Sequence, residues 1–206
     1  EGATIEDAAA AYRTQGALFS INHPALTLGD LCIGCAWEHT LADEAIDAVE
    51  IMTGSSAIAQ SAFLTPSLAL WDGICSRGRH AAALGGSDDH LAGEGTGGLD
   101  SPVGSPTTMV EADELSVAGI LAGIRAGRTV VRIPGESAPM VVLSAREPLT
   151  GDTVEARRVR LLVDITGGMG GTFRVVMNGA LLGEAMAVDS DTFHYELDVV
   201  APALGE

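Results

Sequence analysis

The apolar residues of this chain change their period at Pro134-Gly135, and that change limits the folds open to it. Before the break, short apolar runs alternate with helix-length segments. Residues 5–15 read as a helix with Asp7 near its start and Gly16 as its terminating glycine. A strand over 17–21 follows, then a buried parallel strand over 47–52 and a helix over 66–77 opened by Pro66 and closed at Gly78. A strand through Leu84, a helix over 116–126 and a final strand over 129–133 complete the pattern. Strands alternating with helices predict an α/β barrel with parallel strands over 1–135. After the break, Met140–Leu143, Val159–Ile165, Phe173–Met177 and Phe193–Val199 alternate polar and apolar residues. Asn178-Gly179 marks a hairpin, because both residues tolerate positive φ. Residues 136–206 are therefore expected to form a small antiparallel β-sandwich serving packing or oligomerisation.

Two strands of the first part end on metal-type ligands. Ala17-Leu-Phe-Ser-Ile leads into Asn22-His23-Pro24, and Leu84-Gly-Gly-Ser leads into Asp88-Asp89-His90. On an extended backbone, residues two apart share a side, so Asp88 and His90 are expected to face one metal, with Asp89 turned away. Parallel β/α folds gather their strand exits on one face, which brings His23 to the same place. Taken singly, His23 reads as a capped strand end and Asp88 as a turn residue; the joint spacing is what points to a metal. Glu50 has two readings: a carboxylate that orients a ligand histidine through its outer nitrogen, or a buried acid satisfied by backbone N–H groups. Arg77 and Arg79 are candidate clamps for a phosphoryl oxygen, and Trp37 a candidate stacking surface above the site. His80 and His194 read as structural, His194 standing alone on an alternating strand.

The segment Pro24 to Asp43 reads as a long loop over the barrel mouth, a lid or specificity element. It carries Cys32 and Cys35, which with His39 offer three zinc-type ligands and no fourth. A thiol pair or small disulfide bracing the loop is the preferred reading over a zinc knuckle. Cys75 is expected to be buried as a small apolar residue. Residues 91–108 hold so many glycines and prolines that they read as an irregular crossing.

Lys+Arg number 11 against 28 Asp+Glu, a formal charge of −17, and every basic residue is Arg. Such a surface repels a nucleic-acid backbone, which argues against nucleic acid as a partner. It does not exclude an anionic small substrate, since bound divalent cations reverse the local sign. No run of eighteen apolar residues occurs, so no transmembrane helix is expected.

Taken together, Asn22-His23-Pro24, Ala48-Val-Glu50-Ile, Gly86-Ser-Asp88-Asp-His90 and Gly104-Ser-Pro-Thr107 resemble the carboxyl-terminal half of the polymerase and histidinol phosphatase (PHP) metal-dependent hydrolases. Cys32-Ile-Gly-Cys35-Ala-Trp37 is most similar to the branch that includes carbaryl hydrolases. The resemblance spans residues 5–135, and Gly-Ser-Asp-x-His is its most specific part. It implies the distal part of a distorted, PHP-like β/α barrel. It also implies metal ligation by His23, Asp88 and His90, with Glu50 in a supporting position and Asp88 and His90 in the chemistry. The metal would be Zn, Mn or Fe, activating a water against a small-molecule ester. Phosphoester hydrolysis is the family default, and carbamate or carboxylic ester hydrolysis is the alternative. The family opens its barrel with a His-x-His pair that this chain lacks, so an upstream segment or second chain is expected to supply the remaining ligands. On that reading the chain is the back part of a longer or split protein. A non-catalytic structural or binding subunit with an incomplete site is the other reading.

Overall fold

The computed structural model describes residues 3–27, 35–54, 63–92, 94, 102–133, 135–145, 150–151 and 153–200. Two compact units divide the chain, Glu1–Glu136 and Ser137–Glu206.

The first unit begins with helix α1, Ile5–Thr14. Thr4 caps it: its hydroxyl accepts the Asp7 N–H at 3.2 Å while Asp7 accepts the Thr4 N–H at 3.0 Å, a reciprocal box that satisfies two otherwise unpaired donors. Gly16, at φ 74°, releases the chain from the helix. Strand β1 is only Ser20–Ile21, shorter than the expected 17–21, because Asp47 takes over the pairing of Phe19. The Asp47 carboxylate accepts the Phe19 N–H at 2.9 Å, and its N–H donates to the Phe19 carbonyl at 2.9 Å.

Strands β2, Ala48–Thr53, and β3, Ala82–Gly86, run parallel to β1 in the order β1-β2-β3. β2 is buried on both faces, as a covered parallel strand must be, with Ala48, Val49 and Met52 fully enclosed. Helix α2, Leu64–Ser76, carries Pro66 in its first turn and packs on β2. Ile74 of α2 joins Ile21, Ile46, Val49 and Ala81 in the main core cluster. Cys75 is half-buried with a free thiol whose pKa burial pushes up, and Trp71 Nε1 donates to the Ala81 carbonyl at 2.9 Å.

Beyond β3 the expected pattern fails in two respects: Thr107 and Thr108, expected to close an irregular crossing, begin a strand, and the last strand turns away from the parallel sheet. Strand β5, Thr129–Arg132, does not add to the parallel sheet but pairs antiparallel with β4, Thr107–Val110. The reason lies in helix α3, Val117–Arg125, which is capped by Ser116 and has Gly119 and Gly123 on its inner side. A Cβ at Gly119 would lie 2.4 Å from the Glu114 carbonyl oxygen, and one at Gly123 would lie 2.4 Å from that of Glu111. The helix therefore folds back closely over the end of β4, and β5 starts where β4 stops, Glu111 N–H meeting the Arg128 carbonyl at 2.9 Å. Side chains tie this pair to β3. The Thr108 hydroxyl accepts the Gly85 N–H at 2.8 Å and donates to the Gly85 carbonyl at 2.7 Å, and the Thr129 hydroxyl donates to the Ala83 carbonyl at 2.8 Å. Among the described residues, the strands form no closed barrel.

The second unit is antiparallel. β6 (Met140–Ser144), β7 (Arg158–Thr166) and β12 (Thr192–Val200) form a sheet in the order β12-β7-β6. β8 (Thr172–Phe173) pairs with β11 (Met186–Ala187), and β9 (Val176–Met177) with β10 (Ala180–Leu181) through the Asn178-Gly179 turn, both residues at positive φ. Period-two alternation sends Leu161, Val163, Leu197 and Val199 to one face and Arg160, Asp164, His194 and Asp198 to the other. Val163, Ile165, Phe173 and Val188 form the core of this unit.

Candidate active site at the strand exits

β1, β2 and β3 share a direction, so their carboxyl ends deliver His23, Glu50 with Thr53, and Asp88 to one end of the sheet. The β2–β3 register slips between Glu50 and Met52, a bulge of the kind that re-aims side chains beside functional positions.

Glu50 is the hub of this end. It is 8% exposed, and its Oε2 accepts the backbone N–H of His23 at 2.6 Å. Burial raises its pKa above the ordinary carboxylate value. The His23 N–H and the His23 ring pull it down, the Asp88 charge pushes it up, and Thr53 has the smallest influence. The Thr53 hydroxyl itself is buried without a hydrogen bond of good geometry. Oε1 presses against Gly86, where a Cβ would lie 2.7 Å away. Of the two sequence readings of Glu50, the geometry shows the acid satisfied by a backbone N–H.

The His23 ring is held elsewhere. Its Nδ1 lies 2.8 Å from the Cys35 carbonyl oxygen. A carbonyl only accepts, so Nδ1 carries the proton, and in the neutral ring Nε2 keeps a free lone pair. His23 sits at φ 32° and Asp88 at φ 52°, left-handed conformations that non-glycine residues seldom adopt and that recur at functional sites. Asp88 Oδ1 lies 3.3 Å from His90 Nε2, with the His90 side chain largely exposed. The two are brought together by this left-handed turn beyond the end of β3, a correction to the extended alternation expected from their spacing. Asp89 Oδ1 accepts the Leu91 N–H at 2.7 Å, closing the turn.

The other candidate side chains are engaged elsewhere. Arg77 binds Asp43 through two hydrogen bonds, 2.5 and 2.8 Å. Arg79 spans the Ile46 carbonyl at 2.7 Å and Asp47 at 2.9 Å, at the amino end of β2 and so at the opposite end of the sheet. The Trp37 ring packs on the main core cluster and meets Phe19 edge-on at 6.3 Å, while the Trp37 backbone N–H donates to the Pro24 carbonyl at 2.9 Å. His80 lies against Gly127, where a Cβ would come within 2.6 Å of its Nε2. Cys35 is disulfide-bonded, which disfavours a zinc knuckle built on it; Cys32 and positions 93 and 95–101 of the irregular crossing lie outside the described residues.

Among the described residues, no group of three or more His, Cys, Asp or Glu side chains is arranged to hold a metal ion. Asp88 with His90 forms a two-donor pair, and His23 Nε2 is a third donor of suitable chemistry. The expected convergence of His23 with Asp88 and His90 on one metal is therefore not present among the described residues; what the three share is donor chemistry, a carboxylate and two imidazoles of the kind that bind borderline divalent ions. Sequence reasoning missed the Gly86–Glu50 contact and the Cys35 carbonyl on His23. The glycine pair Gly85-Gly86 was the available signal for close approach.

No family model matches the chain, no curated protein matches it, and no solved structure matches it.

Proposed function

We propose that the first unit supplies the distal part of the active site of a metal-dependent hydrolase of PHP type. Its parallel sheet would belong to a β/α barrel completed by an upstream segment or a second chain, and the second unit would be a β-sandwich. The observation that carries the reading is the pairing of two left-handed, non-glycine residues, His23 and Asp88, around one buried carboxyl group, Glu50, at neighbouring strand exits. Asp88, His90 and His23 would hold a Zn, Mn or Fe ion together with ligands from the completing segment. When bound, such an ion lowers the pKa of water and stabilises developing negative charge.

The chain's own residues have separable tasks. Glu50 fixes the His23 backbone, and the Cys35 carbonyl fixes the ring in the tautomer that leaves Nε2 as an acceptor. Asp88 lies within hydrogen-bond distance of His90 Nε2 and so sets the orientation of that ring. The substrate is a small ester, a phosphoester by preference and a carbamate or carboxylic ester as the alternative. The acidic surface disfavours nucleic acid.

A second reading rests on the two-donor geometry: a structural or binding subunit whose site is incomplete among the described residues. Titration of Zn²⁺ and Mn²⁺ into the intact gene product, followed by assays on a p-nitrophenyl phosphodiester and an aryl carbamate, separates the two. Metal-dependent turnover of either substrate supports the hydrolase. Stoichiometric metal binding without turnover, or no binding, supports the subunit.

A further inference from the structure

The second unit contains a cavity of about 290 Å³ between the inner face of the β12-β7-β6 sheet and the facing β9–β10 hairpin. At one end the two faces meet in the Phe173–Val163–Val188 cluster; toward Leu143, Leu161, Met177, Leu182 and Val199 they part. Leu143, Met177 and Leu182 are partly open to solvent, which is unusual for residues that a packed core would enclose. Arg174 is the sole charged residue among the lining residues, and it is exposed. On the opposite face of the sheet Arg160 is bound to Asp198 at 3.0 Å, whereas Arg174 makes no ion pair with a described residue.

We infer that this cavity binds a medium-chain monocarboxylate, its tail between the sheet and the hairpin and its carboxylate on Arg174. The size follows from the volume. At the roughly 30 Å³ that one non-hydrogen atom with its hydrogens takes in a liquid such as water, a cavity of about 290 Å³ holds roughly ten such atoms, the content of octanoate or a small aryl alkanoate. The polarity follows from the lining: apolar side chains take the tail, and Arg174, its one cationic residue, takes the head. The site lies wholly in the second unit and does not depend on the hydrolase reading.

The test is isothermal titration of the full chain with octanoate and with octylammonium, which share a tail and differ in charge. Octanoate is expected to bind saturably and at least tenfold more tightly than octylammonium. Arg174→Glu should reverse that preference, and because Arg174 is exposed the variant should fold, as its circular dichroism will show. Leu182→Trp, which fills the cavity from the hairpin, should abolish binding of both. The proposal is overturned by equal affinities, by an unchanged preference in Arg174→Glu, or by the absence of saturable binding. It is equally overturned if sedimentation shows a concentration-dependent dimer that Leu182→Trp dissociates, since the occupant would then be a second copy of the chain.

Discussion

Both units set an imidazole against a carboxylate, and the two pairs are made in opposite ways. His194 and Asp164 are direct cross-strand partners on β12 and β7, joined through Nδ1 and Oδ1 in the middle of a regular antiparallel ladder. His90 and Asp88 belong to one turn, with Asp88 at φ 52° and the buried carboxyl group of Glu50 within electrostatic reach. Side-chain chemistry and exposure are alike, so neither distinguishes the pairs. Backbone setting does. A ladder pair adds cross-strand attraction to a sheet that forms anyway, whereas a left-handed aspartate beside a buried acid costs stability that structure alone does not require.

The largest expected difference between the two pairs is in activity. On the proposed hydrolase reading, Asp88→Asn should lower turnover of the responsive ester by orders of magnitude and reduce metal occupancy, because the variant would lose a negative ligand with little change of shape. Asp164→Asn and His194→Ala should leave kcat/KM within about twofold, since surface changes away from the site leave its electrostatics intact. Comparable losses in both regions would erase the distinction drawn here.

Next in size is a pair of glycine substitutions read by chemical denaturation. Gly86→Ala forces a methyl group against Glu50 Oε1 and should destabilise the first unit by about 1–3 kcal/mol, because the buried carboxyl group has little room to yield. Gly167→Ala, at φ 71° with nothing within 4 Å, should cost about 1–2 kcal/mol through backbone strain alone. On the proposed hydrolase reading the two are told apart by metal titration, in which only Gly86→Ala should weaken binding.

A smaller effect concerns pH. Burial raises the Glu50 pKa, so as pH rises the unfolded chain releases this proton first. Between the ordinary carboxylate pKa and the raised folded value, the unfolded state binds fewer protons than the folded one. The Glu50 contribution to stability therefore falls with rising pH across that window and levels off above it. Denaturation of metal-free protein across the window should show this decline in the wild type and a flatter profile in Glu50→Gln. An unchanged profile would remove Glu50 as the source.

The smallest effect belongs to the ladder pair. His194→Ala should cost no more than about 1 kcal/mol, the range of an exposed cross-strand pair. Denaturation of the variant at neutral pH checks it, and a loss of several kcal/mol would give this pair a larger role than its setting suggests.

Local chemistry was legible in the sequence. Asp7 and Gly16 bound α1, Pro66 opens α2, and Asn178-Gly179 turns β9 into β10, because each signal acts within a few residues through capping, fixed φ or tolerance of positive φ. The period change at Pro134-Gly135 lies two residues before the boundary of the compact units, since a switch from helix-and-strand to period-two patterning changes what can share a core. The direction of β5 was not legible. Its apolar run suits a parallel or an antiparallel neighbour equally, and the choice came from two glycines that let α3 fold back on β4.

The candidate site divides in the same way. His23, Asp88 and His90 were visible as residue types at strand exits, because ligand chemistry and spacing are properties of the sequence. Their settings were not. The Asp88–His90 contact depends on a left-handed turn, the acceptor for His23 Nδ1 is a carbonyl twelve residues away, and the partner of Glu50 is a backbone N–H twenty-seven residues away. Arg77 and Arg79, next to β3 in sequence, are taken by Asp43 and Asp47 at the far end of the sheet. Sequence alone determined the three helices and the core strands, though not β4 or the division of Phe173–Met177 between β8 and β9, and it showed which side chains carry chemistry, because those follow from local backbone preference and functional groups. Tertiary structure decided which groups meet, because hydrogen bonds and burial between distant residues depend on how β1, β2 and β3 lie side by side.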